Sequence, residues 1–422
     1  MKVLIVGGGG REHALAWKLG QSPRIERLYC APGNAGTAQA AENVPIGADD
    51  VPALVAFSQA HSIDYVVIGP ELPLSLGLTD ALQAAGIQAF GPSKEAARLE
   101  WSKAFSKDFM ARHGIPTGAY KVFQAGETDA AKAYARALPG PWVIKADGLA
   151  AGKGVLICQA IEEAESAIEA VLEEKRFGNA GDALVIEEYL EGDELSLMAF
   201  TDGSAVVPML AAQDHKRIFD GDLGPNTGGM GAYTPAPAGT ADLLAFAQTH
   251  ILEPTVAAMA AEGTPYKGIL YAGLILTAKG PMVLEFNARF GDPETEVMLP
   301  MLENDLLDVL MACSAGGLAR MPIHWKPGSC ATVVMASSGY PGDNRTGDAI
   351  QGLDGMPPGV TVFHCGTALG ANDEVVTAGG RVLSVTAHGA SLREAVDLAY
   401  QGVEAIRFDG SQYRRDIAQR AL

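Results

Sequence analysis

Glu285, Asn287 and Arg289 stand two apart in the run Leu284-Glu-Phe-Asn-Ala-Arg-Phe-Gly-Asp-Pro-Glu294, directly after the apolar stretch Met282-Val283-Leu284. Side chains two apart on a strand point the same way. The spacing therefore sets a carboxylate, an amide and a guanidinium on one face and turns Phe286 and Phe290 to the other. Oxygen ligands beside a guanidinium suit a magnesium ion resting on phosphate oxygens, because magnesium takes one or two carboxylates and completes its shell with substrate phosphates. The segment reads as half of an ATP site, and the rest of the chain must supply the other half.

Four further motifs bear on that requirement. Lys145-Ala-Asp-Gly-Leu-Ala-Ala-Gly-Lys-Gly154 lies between two strand-like runs. It is not a Walker A loop, which needs Gly-x4-Gly-Lys-Ser/Thr leading into a helix; a flexible hairpin bearing lysines suits a cover that closes over phosphates. Lys145, at a strand end, is expected to be partly buried and to need an anionic partner. In Leu184-Val-Ile-Glu-Glu-Tyr-Leu-Glu-Gly-Asp-Glu194, Glu187 and Glu194 could accept from an adenine amino group and ribose hydroxyls, with the backbone of Glu188, Tyr189 and Leu190 completing the base edge. Gln213-Asp-His-Lys-Arg217 and Gly224-Pro-Asn-Thr-Gly-Gly-Met-Gly-Ala-Tyr233 form a long polar loop with both charge signs, able to hold a zwitterion. Gly7-Gly-Gly-Gly-Arg-Glu-His13 follows a strand and opens a helix, which makes an anion site or a tight packing turn. It is not a dinucleotide fingerprint, because Glu12 or His13 occupies the third glycine position and the second strand ends without a ribose-binding acid.

The elements that must position these groups can be outlined. The chain has 422 residues, of which 48% are hydrophobic and 50 are glycine, enough for two to four domains. Its net charge of −19 argues against nucleic acid or an anionic membrane surface as partner. The five cysteines form no Cys-x-x-Cys pair and the eight histidines no zinc-type spacing, as expected for buried thiols in a reducing compartment. The N-terminus reads as a strand and glycines rather than a signal peptide, and no apolar run approaches the ~20 residues of a membrane span. A cytoplasmic protein follows. Residues 1–102 alternate strands (3–6, 27–30, 65–68, 88–90) and helices (12–19, 51–60, 75–84), which predicts a parallel Rossmann-like sheet. Residues 119–190 form a small lid. Residues 103–118 and 191–327 form a central domain, with a helix over 94–113 and another over 241–262. Residues 328–422 form a C-terminal mixed β/α domain closed by a helix with a Ser391–Glu394 capping box.

Taken in order, these motifs resemble the ATP-grasp superfamily and, within it, the glycinamide ribonucleotide synthetase family. SKAF at 102–105, APGNAGT at 31–37 and GYPGDNRTGD at 339–348 add to the resemblance, which spans residues 1 to about 390. It implies an α/β ATP-grasp fold and ATP-dependent ligation of glycine to 5-phosphoribosylamine through a glycyl phosphate, in purine biosynthesis. It further implies ATP and Mg²⁺ or Mn²⁺ as cofactors, small-molecule partners only, and a monomer or weak homo-oligomer. By the same resemblance, Lys103 and Lys145 contact phosphates, and Glu187, Glu188, Tyr189, Leu190 and Glu194 hold the nucleoside. Glu285 and Asn287 ligate metal. Arg289, Lys145 and Asp214 are the catalytic candidates. Arg289, Asp214, Lys216, Thr227, Gly228 and Gly229 serve glycine and the amine, while Gly9, Gly10, Glu12, Asn34 and Glu71 line the phosphoribosylamine site.

Two departures stand out. The strand Leu270-Tyr-Ala-Gly-Leu274 lacks the metal-binding acid that many ATP-grasp enzymes carry there, so a second metal is expected to rest on thinner support. Trp101 is bulky where a small residue is expected. The rival readings are another ATP-grasp ligase of purine metabolism, a nicotinamide oxidoreductase on the N-terminal sheet, and a non-catalytic nucleotide sensor. The Gln213–Arg217 and Gly224–Tyr233 motifs weigh against the first, the incomplete glycine fingerprint against the second, and the presence of Lys145, Glu285 and Arg289 against the third.

Overall fold

The computed structural model describes residues 1–149, 154–174 and 182–422. Ala150 to Lys153, part of the lysine-bearing glycine motif, lie outside the described residues.

The N-terminal region is a parallel sheet in the order β3-β2-β1-β4-β5, with β1 (Lys2–Gly7), β2 (Arg27–Pro32), β3 (Glu42–Asn43), β4 (Tyr65–Ile68) and β5 (Gln88–Phe90). Helices α1 (Gly10–Leu19) and α2 (Val51–Ala60) follow the first strands. The helix expected over 75–84 is in fact two, α3 (Glu71–Leu76) and α4 (Leu78–Ala84). Gly77 separates them at φ +88°, a left-handed conformation that glycine adopts without steric cost. The helix expected over 94–113 also divides, into α5 (Arg98–Trp101) and α6 (Lys103–Arg112). Ser102 causes this break: it turns extended and its hydroxyl accepts from the Phe105 N–H as the N-cap of α6. Trp101 packs against the main core and donates Nε1–H to the Lys94 carbonyl.

The lid is an antiparallel sheet, β6 (Tyr120–Gln124), β9 (Ala183–Glu188), β7 (Trp142–Ala146), β8 (Val155–Cys158), in that spatial order. It carries α7 (Thr128–Ala137) and α8 (Ile161–Leu172). Phe123, Ile144, Ile168 and Leu184 belong to an apolar core that is separate from the cores of the body.

A second antiparallel sheet runs β11 (Val206–Pro208), β10 (Asp193–Thr201), β16 (Gly268–Thr277), β17 (Gly280–Asn287). A third runs β12 (Gln213–Asp214), β15 (Gly231–Thr234), β18 (Ser329–Ala336), β22 (Arg381–Gly389), β19 (Val360–His364). This last sheet draws strands from both sides of residue 328. Two hairpins, β13 (Arg217–Phe219) with β14 (Leu223–Asn226) and β20 (Thr367–Leu369) with β21 (Val375–Thr377), stand beside it. The helix expected over 241–262 is α9 (Ala241–Ala247), a π-helical stretch over Gln248–Leu252, and α10 (Glu253–Ala261). Helices α11 (Glu294–Met301) and α12 (Leu306–Ala315) bury their apolar faces. In α13 (Leu392–Ala405) the Ser391 hydroxyl accepts from the Glu394 N–H, and Glu394 accepts from the Ala390 N–H.

Candidate active site

The carboxyl ends of the N-terminal strands, the underside of the lid and the ends of the second and third sheets enclose a cavity of about 430 Å³. Glu285 and Asn287 enter it from β17 and Arg289 from the turn that follows. Phe286, on β17, belongs to the main core, as the strand alternation requires, and Phe290, past the strand end, is buried in a second core. A bulge between the β16 and β17 registers at Leu274 precedes Glu285.

Arg289 is held by acids. Its Nη2 lies 2.9 Å from Glu100 Oε1 and its Nε 3.5 Å from Glu71 Oε2, and Nη2 also donates to Asn287 Oδ1 at 3.1 Å. Glu100, on α5, accepts the Ala288 N–H at 2.7 Å. Burial raises the Glu100 pKa to about 6, against the pull of Arg289. Burial acts the same way on Glu71, but Arg289 and Arg11 outweigh it and hold that carboxyl below its ordinary value.

The lysines form a second group. Lys103 opens α6 and donates to the Gly148 carbonyl at 2.9 Å. Asp147 accepts from the Ser102 hydroxyl and the Ala104 N–H, fixing the loop after β7 to the start of α6. Glu187, expected at the adenine, lines the cavity and sits between two ammonium groups. Lys107 Nζ lies 2.7 Å from its Oε2 and Lys145 Nζ 2.8 Å from its Oε1. Burial lowers the Lys107 pKa to about 8, with Glu187 opposing the shift. Lys145 also donates to the Leu284 carbonyl at 3.3 Å, linking the lid to β17. Glu188 accepts the Ala119 N–H, and Tyr189 is exposed; Leu190 lies in the loop that follows β9.

On the opposite wall, Asp214 and Lys216 face the cavity with Thr227 and Gly228. Burial raises Asp214 to about 7, with Lys216 opposing and Glu294 adding to the rise. Lys216 Nζ donates to Glu194 Oε2 at 2.5 Å, so Glu194, expected at the ribose, is paired within this wall. The Tyr271 hydroxyl donates to Glu294 Oε1 at 2.5 Å, and the Ser196 hydroxyl to the same oxygen at 2.8 Å. The acid missing from the strand around Tyr271 thus has a counterpart reaching in from α11. Arg381, on β22, pairs with Asp292 at 2.9 Å and donates to the Gly228 carbonyl at 2.7 Å. A Cβ on Gly229 (φ +111°) would stand 2.5 Å from Pro293 Cδ, so only glycine lets this loop close onto the Asp292-Pro293 turn.

The N-terminal glycine turn supports the cavity from behind. Glu12 accepts from the Gly9 N–H at 2.7 Å and pairs with Arg11 at 2.6 Å. A Cβ on Gly10 would meet Glu296 and Cys365. Asn34 spends its amide on the Gly8 and His364 carbonyls and its oxygen on the Gly36 and Thr37 N–H groups. Of the residues expected at the phosphoribosylamine site, Glu71 faces the cavity, while Gly9, Gly10, Glu12 and Asn34 do not line it. Sequence reasoning missed Glu100, Lys107, Glu294, Arg381 and Arg11 as cavity-facing groups. Arg11 lies inside the Gly7–His13 motif and Glu294 closes the Leu284–Glu294 run, and Lys107 carried the helical signal of standing four residues after Lys103.

The donor set fits a divalent cation. Among the described residues no group of three or more His, Cys, Asp or Glu gathers as a cage, so the metal must take much of its shell from substrate. Glu285 has the right character. Burial pushes its pKa up, but Lys216, Lys145, Lys103 and Arg289 together hold it low and ionised.

Arg289 with its acids, the side chains of Lys103, Lys107 and Lys145 and a lid over one cavity define an ATP-grasp site. The solved biotin carboxylase–β,γ-ATP complex from Campylobacter jejuni shares the fold at a TM-score of 0.77 and 16% identity, over 98% of this chain and 92% of that one. Family models for phosphoribosylglycinamide synthetase match in sequence: the N domain over residues 1–100, the ATP-grasp (A) domain over 101–295 and the C domain over 330–420. Phosphoribosylamine–glycine ligases from Nostoc sp. and Vibrio cholerae are 51% and 50% identical to the chain, covering 100% of it and 99% of each relative. The solved phosphoribosylamine–glycine ligase from Thermotoga maritima is 34% identical with a TM-score of 0.84, over 99% of this chain and 100% of that one. The chain belongs to the phosphoribosylglycinamide synthetase family.

Proposed function

We propose that the cavity joins glycine to 5-phosphoribosylamine at the cost of ATP, giving glycinamide ribonucleotide, ADP and phosphate. ATP-dependent ligation in purine biosynthesis is the activity of this family, and its members use ATP and divalent metal ions. The observation that carries the residue assignment is the meeting of Arg289, Lys103, Lys145 and Glu285 with Asp214 and Lys216 in one cavity.

A glycine carboxylate oxygen attacks the γ-phosphorus, the bond to the β-phosphate oxygen breaks, and ADP leaves. The amine nitrogen then attacks the carbonyl carbon, the carbon–oxygen bond breaks, and phosphate leaves. The nitrogen gives up one proton, and ionised Asp214, on the cavity wall, is the acceptor in this reading. Lys103 and Lys145 neutralise the phosphates, and Arg289 steadies the transferring group, because phosphoryl transfer needs positioning and charge compensation more than covalent help. Lys216 and the Thr227–Gly229 turn hold the glycine end. Glu285 and Asn287 would hold Mg²⁺ or Mn²⁺, which supplies charge neutralisation on the phosphates when bound. The backbone at Glu188, Tyr189 and Leu190 serves the adenine edge, while Glu187 aligns Lys107 and Lys145. Arg11, Glu71 and Asp292 face phosphoribosylamine, with Gly9, Gly10, Glu12 and Asn34 bracing them. The lid keeps water from the acyl phosphate.

No helix among the described residues is long and apolar enough to cross a membrane. The five buried free cysteines support a reducing, cytoplasmic setting, and we assign a monomer, to be read by sedimentation. The function is tested by ADP release that requires both glycine and phosphoribosylamine; glycine-independent ATP hydrolysis, or no turnover at all, would contradict it.

A further inference from the structure

Asp214 and Lys216 project from a very short piece of backbone. β12 is two residues long, and the chain beyond it runs at once toward the β13–β14 hairpin. The two-residue period of extended chain sends Asp214 and Lys216 into the cavity. His215 goes to the back, where it is 2% exposed.

Residues 414–420 lie against that back. The Ala418 N–H donates to His215 Nε2 at 3.0 Å, Arg420 Nη2 to the Asp214 carbonyl at 2.6 Å, and Arg414 Nη1 to the Arg217 carbonyl at 3.2 Å. The contacts continue along the hairpin. Arg414 pairs with Asp222 at 2.7 Å, the Arg415 N–H donates to Asp220 Oδ1 at 2.7 Å, and the Gly221 N–H to Asp416 Oδ2 at 2.8 Å. The segment is itself anchored. Tyr400 of α13 donates its hydroxyl to the Arg414 carbonyl and accepts the Ile417 N–H. Gln412 exchanges backbone hydrogen bonds with Ala336 at the end of β18. Each residue of 214–217 that shows a side chain to the cavity is thus pinned, directly or through its neighbour, from behind.

We propose that residues 414–420 form a strap that positions Asp214 and Lys216, with Arg420 and His215 as positioning residues for the glycine end of the reaction. The inference rests on the assignment of Asp214 and Lys216 to that end. His215 accepts at Nε2, so its ring is neutral with the proton on Nδ1, and burial lowers its pKa to about 3. Arg420 is exposed at the surface, so truncating it removes the bond to the Asp214 carbonyl without opening a core. A loosened peptide plane at Asp214 displaces the carboxylate, and small displacements of positioning groups are costly in catalysis.

The test compares Arg420→Ala, Arg420→Lys and Arg415→Ala, the last a control whose exposed side chain lies over the Tyr413 ring, 6.0 Å away. Measured are KM for glycine, KM for ATP, the thermal midpoint, and amide hydrogen exchange over residues 213–217. Arg420→Ala is expected to raise the glycine KM roughly tenfold and speed exchange over 213–217, with the ATP KM and midpoint near those of the parent. Arg420→Lys recovers part of the loss, and Arg415→Ala matches the parent. A glycine KM within twofold of the parent in Arg420→Ala overturns the inference. So does a parallel rise in both KM values with a lower midpoint, which marks a merely structural strap. Parent ADP release that ignores glycine overturns the assignment of Asp214 and Lys216 and the inference with it, and it is told apart because it arises without any substitution.

Discussion

The carboxylate of Glu100 stands 2.9 Å from the guanidinium of Arg289, and its other oxygen takes the N–H of Ala288. One acid thereby fixes both the side chain and the backbone of the turn that carries the arginine. Glu71, at 3.5 Å, is the lesser partner. Arg289→Ala should lower kcat by about a hundredfold or more, since it removes charge compensation in the transition state. Glu100→Gln should lower kcat by roughly tenfold while leaving the KM for ATP within about threefold, because the arginine stays but loses its aim. Steady-state kinetics decide; equal activity of Glu100→Gln and parent would remove Glu100 from this role.

Glu187 pairs with two lysines, and the role proposed for it is to align them rather than to read the base. Glu187→Gln is expected to reduce kcat/KM for ATP by roughly ten- to a hundredfold and to leave the ATP to GTP preference unchanged. A shift in that preference would return Glu187 to the adenine. The same substitution strips the buried Lys107 and Lys145 of a charged partner, which costs about 3–5 kcal/mol for a buried pair and should show as a lower thermal midpoint.

Asp214 gives the pH behaviour. Its folded pKa of about 7 lies above its ordinary 3.8, so the folded state binds a proton that the unfolded chain has already released between those values. Stability from this group is fully present below pH 4 and is lost as pH rises through about 7. On the role proposed for Asp214, activity moves the opposite way, because a base must be ionised to accept a proton. The kcat/KM for glycine should climb through about pH 7. Asp214→Asn should lose this limb together with most turnover, and should melt several degrees higher than the parent at pH 8 relative to pH 5.

Metal dependence should be complete but easily reversed. With Glu285 proposed as the main carboxylate and no cage of His, Cys, Asp or Glu among the described residues, chelation should abolish turnover, and added Mg²⁺ or Mn²⁺ should restore it without refolding. Glu285→Gln should raise the metal concentration for half-activity by at least about tenfold. Full activity of the parent after exhaustive chelation would refute the role given to Glu285.

The parts of this molecule that were readable in its sequence are those governed by local periodicity. The two-residue alternation of Glu285, Phe286 and Asn287 gives the face of β17, and the strand end at Lys145 gives a buried lysine that needs an acid. The identity of that acid was not readable, because Glu187 reaches Lys145 only through the pairing of β9 with β7. Arg381 and Glu100 carry no local signal at all; they meet the motif through sheet order and helix packing. The helix breaks at Gly77 and Ser102 are local, yet the apolar pattern runs through them and conceals the φ and capping preferences that decide. The joining of β12 and β15 to β18 is a long-range pairing that no window of sequence contains.

The lid keeps an apolar core of its own, built on Phe123, Ile144, Ile168 and Leu184, and meets the body through polar contacts such as Lys107 with Glu187 and Lys145 with the Leu284 carbonyl. Cooperativity in unfolding follows shared apolar packing, so such a lid is a separate melting unit. A calorimetric trace of the free protein should then resolve a small early endotherm from a large later one. Nucleotide, held on the proposed reading by lysines on both sides of the seam, would act as the missing mortar and merge the two peaks in proportion to its occupancy.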